Sequence, residues 1–196
     1  GTFIFDDVVN IVDNDRLHIK DLSLQSIEGV VGSGLSGPLK RPISMLSFAL
    51  NYYTTGLDAF YFKLTNLIIH IFAGISLFVL TLQLLSAYRE RHANNVTDGQ
   101  ITAVCLAVTA AWLLHPLNLT GVLYVVQRMT ALSGLFVLLG TACYVFGRRR
   151  MNLGLSGIGY ILASVLLFTP LATLSKENGA LLLLYLLIVE FSIFRF

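Results

Sequence analysis

The sequence has little charge and few residues of the kinds that build metal or redox sites. Only 12% of its 196 residues are charged, and 13 basic against 11 acidic residues give a net charge of +2. This excludes a nucleic-acid partner, which would require a clear basic excess. The two cysteines, Cys105 and Cys143, both lie in apolar stretches, which favours small buried hydrophobic side chains over a disulfide or a metal site.

Motifs of soluble enzymes are also missing. No His/Cys set has zinc spacing, no glycine-rich phosphate loop follows a strand, and no GxSxG motif is present. Instead, 56% of the residues are hydrophobic and the mean hydropathy is +0.77. A soluble domain of this size would need far more polar surface, so the composition predicts an all-α integral membrane protein.

Five apolar stretches are candidates for membrane spans. The stretch at 101–115 is short against the ~20 residues that a span usually needs. The predicted spans are about 60–88, 101–115, 121–147, 153–171 and 179–195. Since Gly1 is not a natural start and the chain stops at the end of an apolar run, we expect a fragment of a longer membrane protein, with sequence missing at both ends.

Residues 1–59 are too polar to cross a membrane and contain seven of the eleven acidic residues. Within them, 43–53 is apolar enough to lie in the membrane interface as a short helix. Arg41-Pro42 suits the start of that helix, because proline is tolerated in the first helical turn. The sequence therefore predicts an external loop with one interfacial helix, followed by a transmembrane bundle.

The arginines predict the orientation of the bundle. By the positive-inside rule, the groups Arg89/Arg91 and Arg148–Arg150, together with Arg195, should share the cytoplasmic side. Two spans then separate each group from the next. Residues 1–59 and the turns near residues 115–121 and 172–178 consequently face the opposite compartment.

Ionisable side chains meet at that external surface. Asp6 and Asp7 could act as a general base, bind a metal, or only solvate a loop. Arg128 lies inside an apolar helix and needs an anion or the headgroup region, unless it snorkels to the interface. Lys176 and Glu177 either neutralise each other or contribute to a site.

A carboxylate beside cations at this depth suits a lipid-linked phosphate. Arg128, Lys176 and Arg41 are the candidate phosphate ligands, and they would stabilise the phosphate as it leaves. One carboxylate of the acidic pair would accept the proton of an attacking hydroxyl. Asp7 is favoured over Asp6 as that base, because the first member of a pair more often positions than reacts.

The ordered motifs of the chain carry a family resemblance. They are Phe5-Asp6-Asp7, Arg41-Pro42, Leu46-Ser47-Phe48-Ala49-Leu50-Asn51, Asn66-Leu67-Ile68-Ile69-His70, His115-Pro116, Gln127-Arg128 and Ser175-Lys176-Glu177. This set, which covers nearly the whole chain, resembles the membrane half of the transmembrane and tetratricopeptide-repeat O-mannosyltransferases and their bacterial relatives, within the GT-C glycosyltransferase superfamily.

The resemblance implies a GT-C-type helix bundle and an inverting glycosyltransferase. Its donor would be a polyprenyl-phosphate-linked sugar in the membrane lipid, and its acceptor a Ser or Thr hydroxyl of a protein outside the cytoplasm. It also implies that a first transmembrane helix and a C-terminal repeat domain are absent from this chain. The site residues that follow from the resemblance are catalytic Asp6 and Asp7, with Glu177, His115, Gln127, Asn66 and His70 in supporting roles.

The local sequence Val125-Val126-Gln127-Arg128 is more typical of a bacterial relative. That would place the protein in the inner membrane with its site facing the periplasm, whereas a eukaryotic member would lie in the endoplasmic reticulum membrane. The sequence identifies no definite cofactor, and a divalent metal at the acidic pair stays an open alternative.

The main alternative function is a transporter or flippase for a lipid-linked or anionic substrate. It predicts charged or broken-helix positions near the middle of the membrane and internal repeat symmetry, and the sequence displays neither. A purely structural scaffold would leave Arg128 and the acidic pair unexplained.

Overall fold

The computed structural model describes residues 1–92 and 95–194, which form helices, turns and loops without a strand among them. Short 3₁₀ or π segments extend several helices: Val125–Gln127 precedes α6, Ser164–Phe168 joins α7 to α8, and Glu177–Leu181 and Glu190–Phe194 flank α9. The α-helices of the described residues are α1 (Leu24–Val31), α2 (Pro42–Thr55), α3 (Ala59–His92), α4 (Asp98–Leu113), α5 (Leu119–Leu123), α6 (Arg128–Asn152), α7 (Ile158–Ala163), α8 (Thr169–Ser175) and α9 (Leu182–Val189).

Four helical stretches of the described chain are long and apolar enough to cross a membrane, and they are Ala59–His92, Val125–Asn152, Ile158–Ser175 and Glu177–Phe194. A fifth span results if α4 and Pro116–Leu123, which are bent by 52° at a short break, count as one. The expected fold class, an all-α integral membrane helix bundle, is confirmed.

Two interruptions differ from those expected. The stretch expected to span at 121–147 is broken, because Tyr124 is extended (φ −94°, ψ 106°) and α6 begins only at Arg128. Of the turn expected over residues 172–178, only Lys176 is non-helical. It is extended (φ −159°, ψ 143°) between α8 and a 3₁₀ turn.

Two further expectations concern the short helix before the first span and the end of the last span. The helix expected at 43–53 corresponds to α2, Pro42–Thr55, with its proline in the first turn. Arg195, the expected end of the last span and a cytoplasmic mark, lies outside the described residues.

Helix α6 lies at the centre of the bundle and packs against α3 on one side and α7 to α9 on the other. Close approach at one crossing depends on glycine: a Cβ on Gly157 would lie 2.0 Å from the carbonyl oxygen of Gly147. A separate apolar core joins the segment before α3 to the first turns of α3 and α6. Its buried members are Ile11, Leu17, Val30, Met45, Phe48, Ala49, Phe62, Val125 and Met129.

The bundle has two polar ends. The loop end carries residues 1–58 and the turn at Lys176, and there the Ser44 hydroxyl donates to the carbonyl of Ser175 at 2.8 Å. The arginine end carries Arg89 and Arg148–Arg150, of which Arg149 pairs with Glu90 on α3. The candidate catalytic residues lie at the loop end.

Candidate functional site

Four predicted site residues contact one short stretch of chain, residues 124–130. The contacts are Asp6 N–H to Tyr124 Oη (3.1 Å), Val126 N–H to Asp7 Oδ1 (2.7 Å), Arg41 NH1 to Met129 Sδ (3.3 Å) and Lys176 Nζ to Thr130 Oγ1 (2.7 Å). This stretch therefore brings together residues that are far apart in sequence.

The two adjacent carboxylates have different surroundings. Asp7 is fully buried, and its oxygens accept from the backbone N–H groups of Ile4 (3.2 Å), Val125 (3.4 Å) and Val126 (2.7 Å). These contacts satisfy donors that the break before α6 leaves without helical partners. Asp6 is exposed. A substrate can reach only the Asp6 carboxylate without opening the core, which favours Asp6; which of the two is the base stays a prediction.

Arg128 is also buried, with no exposed surface. Its guanidinium donates to Asn66 Oδ1 (2.7 Å), Asn51 Oδ1 (2.8 Å), Phe62 O (2.8 Å) and Ser47 O (3.0 Å), and lies 4.8 and 5.3 Å from the ring centroids of Phe48 and Phe62. Neutral acceptors and aromatic faces thus solvate the charge. The expected role of Arg128 in donor binding is not favoured, since its donors are already used to join α2, α3 and α6.

The supporting residues hold the breaks in the helices. The buried Asn66 amide faces the carbonyls of Gly121, Val122, Tyr124 and Val125 at 3.3 to 3.5 Å, of which its two N–H groups can bond to two at a time. His70 bonds to the carbonyl of Leu113 at 3.1 Å and stacks on Trp112. His115 accepts from the N–H of Leu117. All three side chains form hydrogen bonds with backbone groups, and His70 also packs on a neighbouring ring.

Glu177 pairs with Arg41 and not with its neighbour Lys176. Arg41 NH2 and Nε lie 2.9 and 3.0 Å from Oε2 of Glu177. Gly37 lets the loop before α2 approach this pair: its φ is +76°, and a Cβ there would lie 1.9 Å from Oε1 of Glu177. The ion pair therefore ties the loop before α2 to the turn after α8.

Lys176 forms no ion pair with any residue that the structure describes. Its amine donates to Thr130, whose hydroxyl donates in turn to Oε1 of Gln127 at 2.9 Å. Burial lowers the pKa of Lys176, and the nearby Arg41 lowers it further, while Glu177 opposes both effects. Lys176 is thus a cation that a substrate anion can neutralise.

A cavity of about 520 Å³ opens beside Thr130, between α3, the bent α4–α5 segment and α6. Gln127 and Thr130 supply polar groups, and the other lining residues are mainly apolar, among them Ala73, Trp112, Leu117, Leu135, Leu138 and Tyr185. Its size and lining suit an apolar chain with a polar group at one end.

No group of three or more His, Cys, Asp or Glu side chains in residues 1–92 and 95–194 is arranged to hold a metal ion. A divalent ion at Asp6 would take most of its ligands from a bound phosphate and from water.

The sequence reasoning missed Tyr124, Asn51 and Thr130. Asn51 had a usable signal, because an amide in an otherwise apolar interfacial helix needs a buried partner. Tyr124 and Thr130 had none, since their partners lie 118 and 46 positions away.

The fold and this site define an integral membrane helix bundle with a polar pocket at one end. No family model matches the chain, and no solved structure does. In sequence it is similar to human Protein O-mannosyl-transferase TMTC3 (30% identical over 182 residues, 90% of this chain and 18% of that protein). It is also similar to mouse Protein O-mannosyl-transferase TMTC1 (30% over 193 residues, 91% and 19%) and to Caenorhabditis elegans Protein O-mannosyl-transferase F38B6.6 (24% over 196 residues, 97% and 25%).

The chain spans about a fifth to a quarter of the length of these relatives. The resemblance found in its ordered motifs is confirmed: the chain is a relative of the transmembrane and tetratricopeptide-repeat protein O-mannosyltransferases. Its bacterial character stays a prediction.

Proposed function

We propose that this chain is the membrane part of a glycosyltransferase that moves a sugar from a polyprenyl-phosphate carrier to a Ser or Thr hydroxyl of a protein on the non-cytoplasmic side. The observation that carries the proposal is the convergence of two residues on positions 124–130: the exposed Asp6, through its backbone N–H on Tyr124, and Lys176, through its amine on Thr130. The relatives are named O-mannosyl-transferases, so mannose is the sugar to test first.

The proposed reaction is a single displacement at the anomeric carbon. The acceptor oxygen forms the new bond to that carbon, its proton passes to Asp6, and the bond to the phosphate oxygen breaks. One displacement inverts the configuration. Phosphate needs no acid to leave, but its charge requires stabilisation, for which Lys176 is the principal candidate and the Glu177-paired Arg41 a secondary one.

In this proposal the cavity beside Thr130 receives the first isoprene units of the carrier. Its apolar lining contacts the hydrocarbon of these units, and the amine of Lys176, which bonds to the lining residue Thr130, meets the phosphate. Asp7, Asn66 and Arg128 contribute by holding the backbone that both ligands touch.

The transporter alternative expects charged or broken-helix positions near mid-membrane and internal repeat symmetry, and the charged positions can be compared with the structure. In the described spans, charged side chains lie toward one end or the other: Lys63 and Arg128 toward the loop end, Arg148 and Glu190 toward the arginine end. This distribution supports an enzyme working at the membrane surface.

The decisive experiment is Asp6→Asn in the full-length protein, with Asp13→Asn as a matched control on the same exposed loop. Removal of a general base typically costs about 10²–10⁴-fold in rate. We expect transfer from polyprenyl-phosphate mannose to a Ser/Thr peptide to fall by that order, while donor lipid still binds. Normal transfer by Asp6→Asn would reject the proposed mechanism.

The side of the membrane is tested by labelling. In a background where Cys105 and Cys143 are replaced by Ala, a cysteine at the exposed Leu35 should react with an impermeant reagent applied from the non-cytoplasmic side, and one at the exposed Asn95 should not. The opposite pattern would place the site in the cytoplasm.

A further inference from the structure

Tyr124 occupies a position in the site that packing alone does not require. Its backbone is extended at the corner between α5 and the 3₁₀ turn before α6, and its ring meets that of Phe5 edge to face, with centroids 6.5 Å apart. Phe5 has a φ of +47°, an unusual conformation for a residue with a side chain. The ring contact holds the segment around Asp6 and Asp7 against the corner before α6, but it does not involve the phenol oxygen.

The phenol oxygen of Tyr124 contacts the backbone of Asp6. It accepts the Asp6 backbone N–H at 3.1 Å, and the following residue, Asp7, is fixed through Val125 and Val126. Asp6 is thus held by three contacts. Phe5 before it packs on the Tyr124 ring, its own backbone N–H bonds to the Tyr124 hydroxyl, and the carboxylate of Asp7 after it is buried. These contacts limit the positions that the Asp6 carboxylate can take.

Resting on the proposed function, we infer that Tyr124 is a positioning residue for the base: its hydroxyl orients Asp6 and stabilises the ionised carboxylate that accepts the proton of the acceptor hydroxyl. Tyr124 does not itself react. It acts as the group that orients the base, a role found wherever a catalytic base is held by a second hydrogen-bonding side chain.

The charges around the phenol agree with this role. Burial raises the pKa of Tyr124, and the carboxylates of Asp6 and Asp7 raise it further, although the Asp6 N–H opposes them. The phenol therefore stays protonated and can donate to a carboxylate. The neighbouring cations have other partners: Arg128 donates to Asn51, Asn66 and two backbone carbonyls, and Lys63 to the carbonyl of Thr2.

The test is Tyr124→Phe in the full-length protein, with Tyr61→Phe, an exposed tyrosine at the same end, as the matched control. The substitution keeps the ring against Phe5 and removes only the hydroxyl. We expect kcat to fall by about tenfold or more while the KM for the polyprenyl-phosphate sugar changes by less than about twofold, because donor binding does not involve Asp6.

The pH profile separates positioning from a merely structural role. Loss of a donor beside an ionised carboxylate disfavours the charged form, so the acid limb of kcat/KM should move to higher pH in Tyr124→Phe. Fluorotyrosine at position 124 keeps ring and hydroxyl but makes the phenol a stronger donor, and the limb should then move to lower pH. It also provides a folded variant if Tyr124→Phe does not assemble.

The outcomes are distinguishable. Inactive Asp6→Asn together with unchanged kcat and unshifted acid limbs in the Tyr124 variants would overturn this inference and leave the proposed function standing. Normal transfer by Asp6→Asn would remove the base itself, and the role of Tyr124 with it. A uniform loss of folded protein without opposite pH shifts in the two variants would assign Tyr124 to packing.

Discussion

The two polar ends of the bundle hold their charges in different ways. The arginine end neutralises three of its arginines in pairs with carboxylates, which are Arg148 with Glu190, Arg149 with Glu90 and Arg89 with Asp98, while Arg91 and Arg150 donate to backbone carbonyls. At the loop end the Asp6 carboxylate is exposed and Lys176 bonds to a hydroxyl, so both can serve a substrate. The ion pairs of the arginine end join helical segments, whereas at the candidate site Asp6 and Lys176 form no ion pair with any described residue.

Arg128 and Arg148 make the same comparison within one helix. Both lie near an end of α6, and hydropathy does not distinguish them. Arg148 bonds to a carboxylate and retains some exposure, while Arg128 has no exposed surface and bonds only to neutral oxygens. An arginine at a span boundary is therefore not by itself a ligand for an anionic substrate.

The largest effect should come from Arg128→Met. It leaves the oxygens of Asn66, Asn51 and two carbonyls buried without their donor, which should lower the free energy of unfolding by on the order of 3–5 kcal/mol. Thermal unfolding of the purified protein in detergent measures this. If the variant had normal stability but no longer bound the donor, Arg128 would be a ligand of the donor phosphate.

Asp7→Asn should have the next largest effect and should separate the two adjacent carboxylates. The amide keeps one acceptor oxygen but loses the charge and one of the oxygens that cap Val125 and Val126, so we expect a loss of about 1–3 kcal/mol in stability. Transfer should fall less than in Asp6→Asn when compared at equal amounts of folded protein. Full stability with complete loss of transfer would identify Asp7 as the base instead.

Lys176→Met should affect the donor and leave the fold intact. Removing the unpaired amine should raise the KM for the polyprenyl-phosphate sugar by about tenfold, since a charged hydrogen bond is worth ~1.5–3 kcal/mol. Because the pKa of Lys176 is lowered, donor binding by the wild type should weaken as pH rises, at a lower pH than for an ordinary lysine. Lys176→Arg should abolish that alkaline loss, and its persistence would assign it to another group.

The smallest effect should come from Arg89→Gln at the arginine end. Its partner Asp98 has 90% of its side chain exposed, and such surface pairs are typically worth below ~1 kcal/mol. Melting temperature and transfer rate should both stay close to wild type. A loss as large as that of Arg128→Met would end the distinction between the two ends.

Much of the fold was predictable from the sequence because spanning a membrane depends on local averages. The apolar runs gave the positions of the helices to within several residues, and Arg41-Pro42 indicated the start of α2. The break at Tyr124 was missed, since Val122 to Phe146 is a mainly apolar stretch whose one charged residue is Arg128. The break depends on Asp7 and Asn66 from other parts of the chain.

The sequence by itself determined the class of this protein, its helical stretches and the set of ionisable residues from which the site is drawn, because residue composition alone sets which segments can enter a bilayer. Only the tertiary structure decided that Asp6 is exposed while Asp7 is buried, that Arg128 joins helices, and that Glu177 neutralises Arg41 and leaves Lys176 free. Exposure and partnership depend on segments far away in sequence: Asp7 meets Val126 across 119 positions, and Arg41 meets Glu177 across 136. No local pattern encodes such distances.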